Sequence, residues 1–312
     1  MEFKKTRGYY MSANKKDRIA FYVYKPLNDT PPSAIFQISH GMCEYVERYE
    51  PFIEFLCKNN ILVCGNDHLG HKGSVKSKSG LGYFSKSNGD RHLTEDVNTL
   101  TRLMKKKFPD TKYFLFGHSM GSFVARDFAS KYSSKIDGLI LCGTSGVNPG
   151  AKFGIGLCNS MSLLLGDKFR SDVVYNTAFL NYNKNYKERF NQYDWLTKDN
   201  DIKSWFEKNE YCNFVFTLSA FRDMFTVLDR VSDDNWAYSL PFELPVYILA
   251  GDMDPVGNYG KGVKQVYKRL VDAGLDDVNL KLYKNLRHEI LNEPEKDIVY
   301  NDILQWIKIH LD

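Results

Sequence analysis

The apolar positions of this chain switch repeatedly between two periods. Short continuous runs alternate with segments in which apolar residues return every three or four positions. Residues 9–11 and 19–24 flank a polar turn, 12–18, and predict an opening β-hairpin; 26–32 is a proline-bounded loop. Ala34–Ser39, 61–65, 113–116, Gly138–Cys142, 245–250 and 280–283 are apolar runs suited to strands buried on both faces. Helical spacing falls between them. One helix is expected over 45–59, with Tyr49, Phe52, Ile53, Leu56 and Cys57 on one face and Pro51 in its first turns. A second carries Leu93, Val97, Leu100, Leu103, Met104 and Phe108. Asp90 is its expected cap, and Glu95, Asp96 early and Lys105, Lys106, Lys107 late suit the helix dipole. A third carries Phe123, Val124, Phe128 and Tyr132, a fourth spans about 262–273, and the last starts at Pro294 and carries Ile298, Val299, Ile303, Trp306 and Ile307. Residues 66–74 form a glycine-rich loop, and the stretch from there to Asn88 holds too much Gly and Ser for a regular element.

The alternation stops between Val147 and Tyr238. Helical patterns occur there at 157–165 and 213–227, with no core strand, and the stretch is too long for one connection in a compact fold. The expected organisation is an α/β core, 1–146 and 239–312, with a helical cap inserted over 147–238. Strands alternating with helices imply a mostly parallel sheet covered on both faces, with the hairpin adding antiparallel strands at one edge. Ligands of such sheets bind beyond the carboxyl ends of the strands.

Composition narrows the function classes. Hydrophobic residues make up 43% and charged residues 26% of the 312, as in ordinary globular proteins. The 42 Lys and Arg against 38 Asp and Glu give a net charge of +4 without a long basic run, so nucleic acid is not an expected partner. The first residues do not resemble a signal peptide, and no apolar run is long enough to span a bilayer. The six cysteines fit no zinc or C-x-x-C spacing, and Cys57, Cys64 and Cys142 sit in apolar segments as small hydrophobes do. Free thiols and a cytoplasmic location are therefore expected.

Candidate chemistry begins at Gly117, His118, Ser119, Met120 and Gly121. They fit G-x-S-x-G with a strand before and a helix after, the setting in which this pattern makes a nucleophile elbow. A serine hydroxyl needs a base, and the base an orienting acid. His118 adjoins the serine on a tight turn and points elsewhere. His288 follows a strand just before the last helix and is the expected base. Asp252 and Asp254 follow the strand at 245–250. Asp254 lies further out, with Pro255 stiffening the loop behind it, and is the expected acid. The order Ser, Asp, His is that of α/β-hydrolases. Acyl transfer also needs N–H donors for the developing oxyanion, expected from Met120 and from Met42, where Gly41 permits a sharp turn. His40, Gly41 and His118 complete the expected substrate-binding lining.

With these residues in view, the chain resembles the α/β-hydrolase branch of monoacylglycerol lipases, lysophospholipases and serine aminopeptidases. The resemblance rests on 39–49 (SHGMCEYVERY), 67–74 (DHLGHKGS), 117–121 (GHSMG), 251–254 (GDMD) and His288, and within the insertion on 193–199 (YDWLTKD) and 211–217 (YCNFVFT). It implies a helical cap over the site, a carboxylic ester such as a monoacylglycerol or lysophospholipid as substrate, Asp254 rather than Asp252 as acid, and no cofactor. It also makes the loop holding Asp67, His68 and His71 a hydrogen-bonded structure rather than a metal site. Relatives often carry Gly or Ala at Met42 or Cys43, so Met42 bears on acyl-chain length. Phe153, Ile155, Leu157, Met161, Leu163, Leu164 and Leu165 suit either the buried face of cap helices or contact with a fatty chain or membrane surface. The rival substrate is an amide, for which Asp194, Asp199 or Asp223 would bind an amine. A haloperoxidase or C–C hydrolase would share the triad, and a binding protein that had lost catalysis would keep only the fold.

Overall fold

In a computed structural model, which describes residues 3–311 apart from positions 29, 188 and 234, the hairpin comes first. β1 (Phe3–Met11) pairs antiparallel with β2 (Arg18–Pro26), which pairs antiparallel with β4 (Ile61–Asn66). β4 runs parallel to β3 (Ala34–Ser39). β5 (Lys112–His118), β6 (Gly138–Cys142), β7 (Val246–Gly251) and β8 (Val278–Tyr283) continue the parallel ladder, giving the order β1-β2-β4-β3-β5-β6-β7-β8. The edge strand β1 is mostly exposed and carries Lys4, Lys5 and Arg7, charges that discourage pairing with another chain.

The continuous apolar runs are explained by the two sheet faces. Ile35, Leu62, Leu115, Leu139 and Ile248 point to one side, and Phe36, Val63, Phe114, Ile140 and Leu249 to the other, as the two-residue period of a strand requires. α1 (Glu50–Lys58) and α10 (Lys296–Ile309) cover the second face. α2 (Gly89–Lys107), α3 (Met120–Tyr132) and α9 (Lys261–Asp272) cover the first, together with helices inserted between β6 and β7. The inserted helices are α4 (Gly150–Leu165), α5 (Asp172–Ala178), α6 (Asn200–Lys208), α7 (Leu218–Ser232) and α8 (Asn235–Tyr238). Arg230 of α7 ties this insertion to the core by pairing with Asp90 of α2 and, at 2.9 Å, with Asp127 of α3.

Several local expectations shift. Asp90 is not the cap of α2. Asn88 occupies that position with φ 55°, and Asp90 lies in the first turn, where Arg230 engages it. The last helix starts at Lys296, not Pro294. Glu293 before the proline is extended (ψ 159°), and its carboxylate accepts the N–H groups of Arg287 and Lys198, which holds the chain out of the helix. The helical spacing at 213–227 resolves into α7 from Leu218, capped by Thr217, while 213–215 line a cavity instead. Phe153, Leu163 and Leu164 are not buried under the cap; Leu163 and Leu164 are 88% and 87% exposed. All six cysteines are free and buried. Among the described residues no helix is long and apolar enough to cross a membrane.

Candidate active site

The chain leaves β3 for β4 on one side and returns to β5 on the other, so a crevice opens beyond the carboxyl ends of β3 and β5. Ser119 closes β5 there with φ 52° and ψ −122°, a strained backbone for a residue with a side chain. The neighbouring glycines make that turn possible. A Cβ on Gly121 would stand 2.0 Å from the Ser39 carbonyl oxygen, and one on Gly117 2.4 Å from that of Gly121. The turn is held by the Ser119 N–H, which donates to the Cys142 oxygen at 2.9 Å, and by the Ser122 hydroxyl, which donates to the Ser119 oxygen at 2.6 Å.

The loops after β7 and β8 bring His288 and Asp254 together. His288 Nδ1 lies 2.9 Å from Asp254 Oδ2, and both residues are buried. The second Asp254 oxygen accepts the Val256 N–H at 2.8 Å, which fixes the carboxylate plane. Asp252 faces away and accepts the Asn285 N–H at 2.7 Å. With Nδ1 engaged, the other ring nitrogen of His288 is the one available for chemistry. Ser119, Met42, Gly41, Met120, His118 and His288 all line one cavity of about 500 Å³. Met120 is the first residue of α3, so its N–H is among the donors a helix leaves free. Gly41 lets its loop close on the elbow, since a Cβ there would stand 3.0 Å from that of Ser119.

His40 does not line the cavity. Its Nδ1 lies 2.8 Å from the Gly41 oxygen and its Nε2 accepts the His68 N–H at 2.9 Å, so both nitrogens serve the loop. His71 likewise accepts the Cys43 N–H through Nε2 at 3.3 Å and meets the Leu69 oxygen through Nδ1. Burial pushes His40 well below the usual imidazole range, His68 to about 3 and His71 to about 4, so all three are neutral near pH 7 and His40 and His71 can accept. Asp67 receives the N–H groups of Val46 and Gly73 at 3.0 and 2.9 Å. This loop is thus a hydrogen-bonded brace under Met42. Among the described residues no three His, Cys, Asp or Glu side chains converge as a metal would need.

His118 enters the site differently from expectation, through a buried charge cluster that the sequence reading did not identify. Its Nδ1 lies 2.8 Å from Glu44 Oε1, an oxygen that also accepts the Gly41 N–H and the Tyr49 hydroxyl. Arg48 bonds Glu44 Oε2 at 2.9 Å and Glu289, next to His288, through two 2.9 Å contacts. Burial alone would lower His118 and raise Glu44. Their mutual attraction outweighs it, raising the imidazole and, with help from Arg48, holding the carboxyl well below its usual range. The spacing of Glu44 and Arg48, four residues apart within 39–49, was the available signal, but only the fold reveals Glu289 as their partner.

The rest of the cavity wall comes largely from the insertion. Phe179, Trp195, Phe214, Met224, Phe225 and Leu228 supply apolar surface, and Asn148, Asp172, Asn176, Gln192 and Asn213 polar groups. Asp194, Asp199 and Asp223 do not line it. Asp194 is buried against Lys203 at 2.6 Å, Asp199 caps α6, and Asp223 lies against Gly89 with burial raising it to about 7.

Comparison with known proteins agrees with this architecture. The family described as serine aminopeptidase, S33, matches residues 30–295. A monoacylglycerol lipase of Mycolicibacterium smegmatis is 24% identical, with 94% of each chain covered. The crystal structure of a highly thermostable carboxyl esterase from Bacillus coagulans, in complex with glycerol, superposes with a TM-score of 0.90 at 30% identity over 99% of both chains. A structure described as an open form of a lipase superposes with a TM-score of 0.90 at 26% identity, covering 99% of this chain and all of the other.

Proposed function

We propose that this chain, which belongs to the serine aminopeptidase, S33, family and is a carboxylic-ester hydrolase with the α/β-hydrolase fold, works through Ser119, His288 and Asp254 on monoacylglycerols or similar small acyl esters. The observation that carries this reading is the buried His288–Asp254 pair, 2.9 Å apart, with His288 lining the same cavity as a serine on a strained elbow.

Ser119 Oγ attacks the ester carbonyl carbon and passes its proton to His288 Nε2. The carbonyl oxygen takes the negative charge and receives the Met42 and Met120 N–H groups. His288 then protonates the departing alkoxide, leaving an acyl group on Ser119. Water attacks this acyl-enzyme and gives a proton to His288. The Oγ–acyl bond breaks, the proton returns to Oγ, and the carboxylic acid leaves. Asp254 holds the imidazole orientation and stabilises its charged form throughout.

The composition of the wall supports this substrate class. Apolar surface suits an acyl chain, and polar groups suit a small hydroxylated alcohol. The monoacylglycerol lipase relative and the glycerol bound by the carboxyl esterase support a glycerol ester over a lysophospholipid. The α4–α8 insertion, 147–238, acts as the cap that shapes access. The exposed Phe153, Leu163 and Leu164 of α4 support a transient contact between that cap and a lipid surface. The amide alternative is weakened because Asp194, Asp199 and Asp223 are occupied elsewhere. A panel of 4-nitrophenyl esters, monoacylglycerols, lysophospholipids and aminoacyl anilides tests the substrate class. Monoacylglycerols should give the highest kcat/KM, and a preference for anilides would contradict the reading.

A further inference from the structure

Asp254 restrains only one edge of the His288 ring. A single hydrogen bond at Nδ1 leaves the imidazole free to tilt about that contact, whereas proton transfer to and from Ser119 tolerates little misorientation. The core His118 ring lies against the His288 ring with centroids 4.9 Å apart, and a further restraint comes from the inserted segment. The Trp195 ring, in the connection between α5 and α6, lies against the His288 ring with centroids 5.0 Å apart and planes at 40°. The main chain of the same residue holds the base as well: the His288 N–H donates to the Trp195 oxygen at 3.3 Å, and the Glu289 N–H to the Leu196 oxygen at 2.7 Å.

The attachment extends to both sides of His288. The Arg287 guanidinium donates to the oxygens of Asp194 and Thr197 at 2.5 and 3.1 Å, and Glu293 receives the Lys198 N–H and the Thr197 hydroxyl, each at 2.8 Å. Arg287 also lies over the Tyr186 ring, and the Tyr186 hydroxyl donates to the Met253 oxygen at 2.7 Å, beside Asp254. The two loops that present base and acid are thus fastened to one stretch of the insertion. The elbow and the Gly41–Met42 turn are fastened through Glu44 and the His71 loop of the core, and Arg48 links that cluster to Glu289 beside the base. Trp195 itself is set by its N–H to Asn183 at 2.9 Å and by ring contacts with Phe179 and Tyr182. All three of those rings line the cavity.

We propose that Trp195 is a positioning residue for His288, so that docking of the cap segment around it and competence of the base are a single event. A cap that swung away as a rigid lid would take the Trp195 face and the 195–196 backbone contacts from His288, leaving it to Asp254, His118 and the Arg48–Glu289 pair of the core. Opening that preserves an oriented base therefore occurs elsewhere in the insertion, away from 193–198. Because the Trp195 ring is also cavity wall, an acyl chain filling the cavity presses on the side chain that orients the base. The inference rests on His288 being the base.

The test is steady-state hydrolysis of 4-nitrophenyl butyrate by the full chain carrying Trp195→Ala, Trp195→Leu or Trp195→Phe, with fluorophosphonate labelling of Ser119 followed in parallel. Trp195→Ala should lower kcat by about 10- to 100-fold, with KM for this short ester changing less than about threefold. The labelling rate should fall in step with kcat, and Trp195→Phe should recover most of the loss. If circular dichroism shows Trp195→Ala unfolded, Trp195→Leu, which fills the space without a ring face, is read in the same way. A change confined to KM, or a Phe variant no better than Ala or Leu, overturns the proposal. His288→Ala separates the two claims. If that variant keeps full activity, the triad reading itself fails. If it is inactive while the Trp195 variants alter only KM, Trp195 is wall alone and the triad stands.

Discussion

Arg48 and Glu289 form a bidentate ion pair, two contacts of 2.9 Å with both side chains buried, and so join the loop after β3 to the loop after β8. Arg48 also holds Glu44, which in turn grips the Gly41 N–H and His118. One guanidinium therefore spans the Gly41–Met42 turn, the elbow and the histidine loop. Arg48→Met should leave two buried carboxylates without their cation and cost about 3–5 kcal/mol. Arg48→Lys should also lose stability, because an ammonium cannot reproduce the planar fork. Urea denaturation at pH 7 measures both. A Met variant as stable as the parent would remove this cluster from the account.

The neutral histidines beneath Met42 make the fold acid-sensitive in a definable window. His71 titrates near 4 in the folded chain against 6.5 ordinarily, so between those values the unfolded chain binds more protons. Stability from this site is full above about 6.5 and is lost as pH falls through about 4. His40, His68 and Glu44 face the same ring and Asp67 lies in its loop; burial raises Asp67 to about 6, which acts in the opposite direction. The difference between His71→Gln and the parent isolates the one site. Denaturation at several pH values should show the parent losing stability relative to the variant between pH 6.5 and 4. A pH-independent difference would contradict the assignment.

Met42 lines the cavity beside Gly41 and Ser119. Met42→Ala should shift the preference among 4-nitrophenyl esters toward longer acyl chains, changing relative kcat/KM by about tenfold, as expected for a few methylenes in an apolar pocket. An unchanged chain-length profile would show that the acyl chain runs elsewhere.

Leu163 and Leu164 stand almost fully exposed on α4. Replacing both by Ser should leave hydrolysis of a soluble short ester unaltered and lower the rate on monoacylglycerol presented in vesicles. Equal rates on vesicles would remove the lipid-surface role of this face.

Much of the architecture was legible because its signals are local. Apolar runs such as Ala34–Ser39 and Gly138–Cys142 are buried on both faces and read as such. The 117–121 pattern is legible for a steric reason, since Gly121 has no room for a Cβ against Ser39. The insertion was harder. α5 and α6 are short, α8 is shorter, and the spacing at 213–215 that resembled helix serves the cavity wall instead. His40 was misplaced because sequence adjacency to the Gly41–Met42 turn does not reveal that both ring nitrogens are already engaged. Glu289 was missed because its partner Arg48 is distant in sequence, and long-range charge pairing leaves no periodic trace. Trp195 was visible only as part of a motif, without the contact to His288 that gives it a role.

The central claim is that Ser119 is the nucleophile, activated by His288 and Asp254. The most direct test is mass-spectrometric mapping of fluorophosphonate adducts on the parent chain and on Ser119→Ala, with esterase rates measured on the same preparations. The account predicts a single phosphonylated serine at 119, no adduct in the variant, and at least about a thousandfold loss of kcat. Labelling of another serine, or full esterase activity in Ser119→Ala, would contradict it.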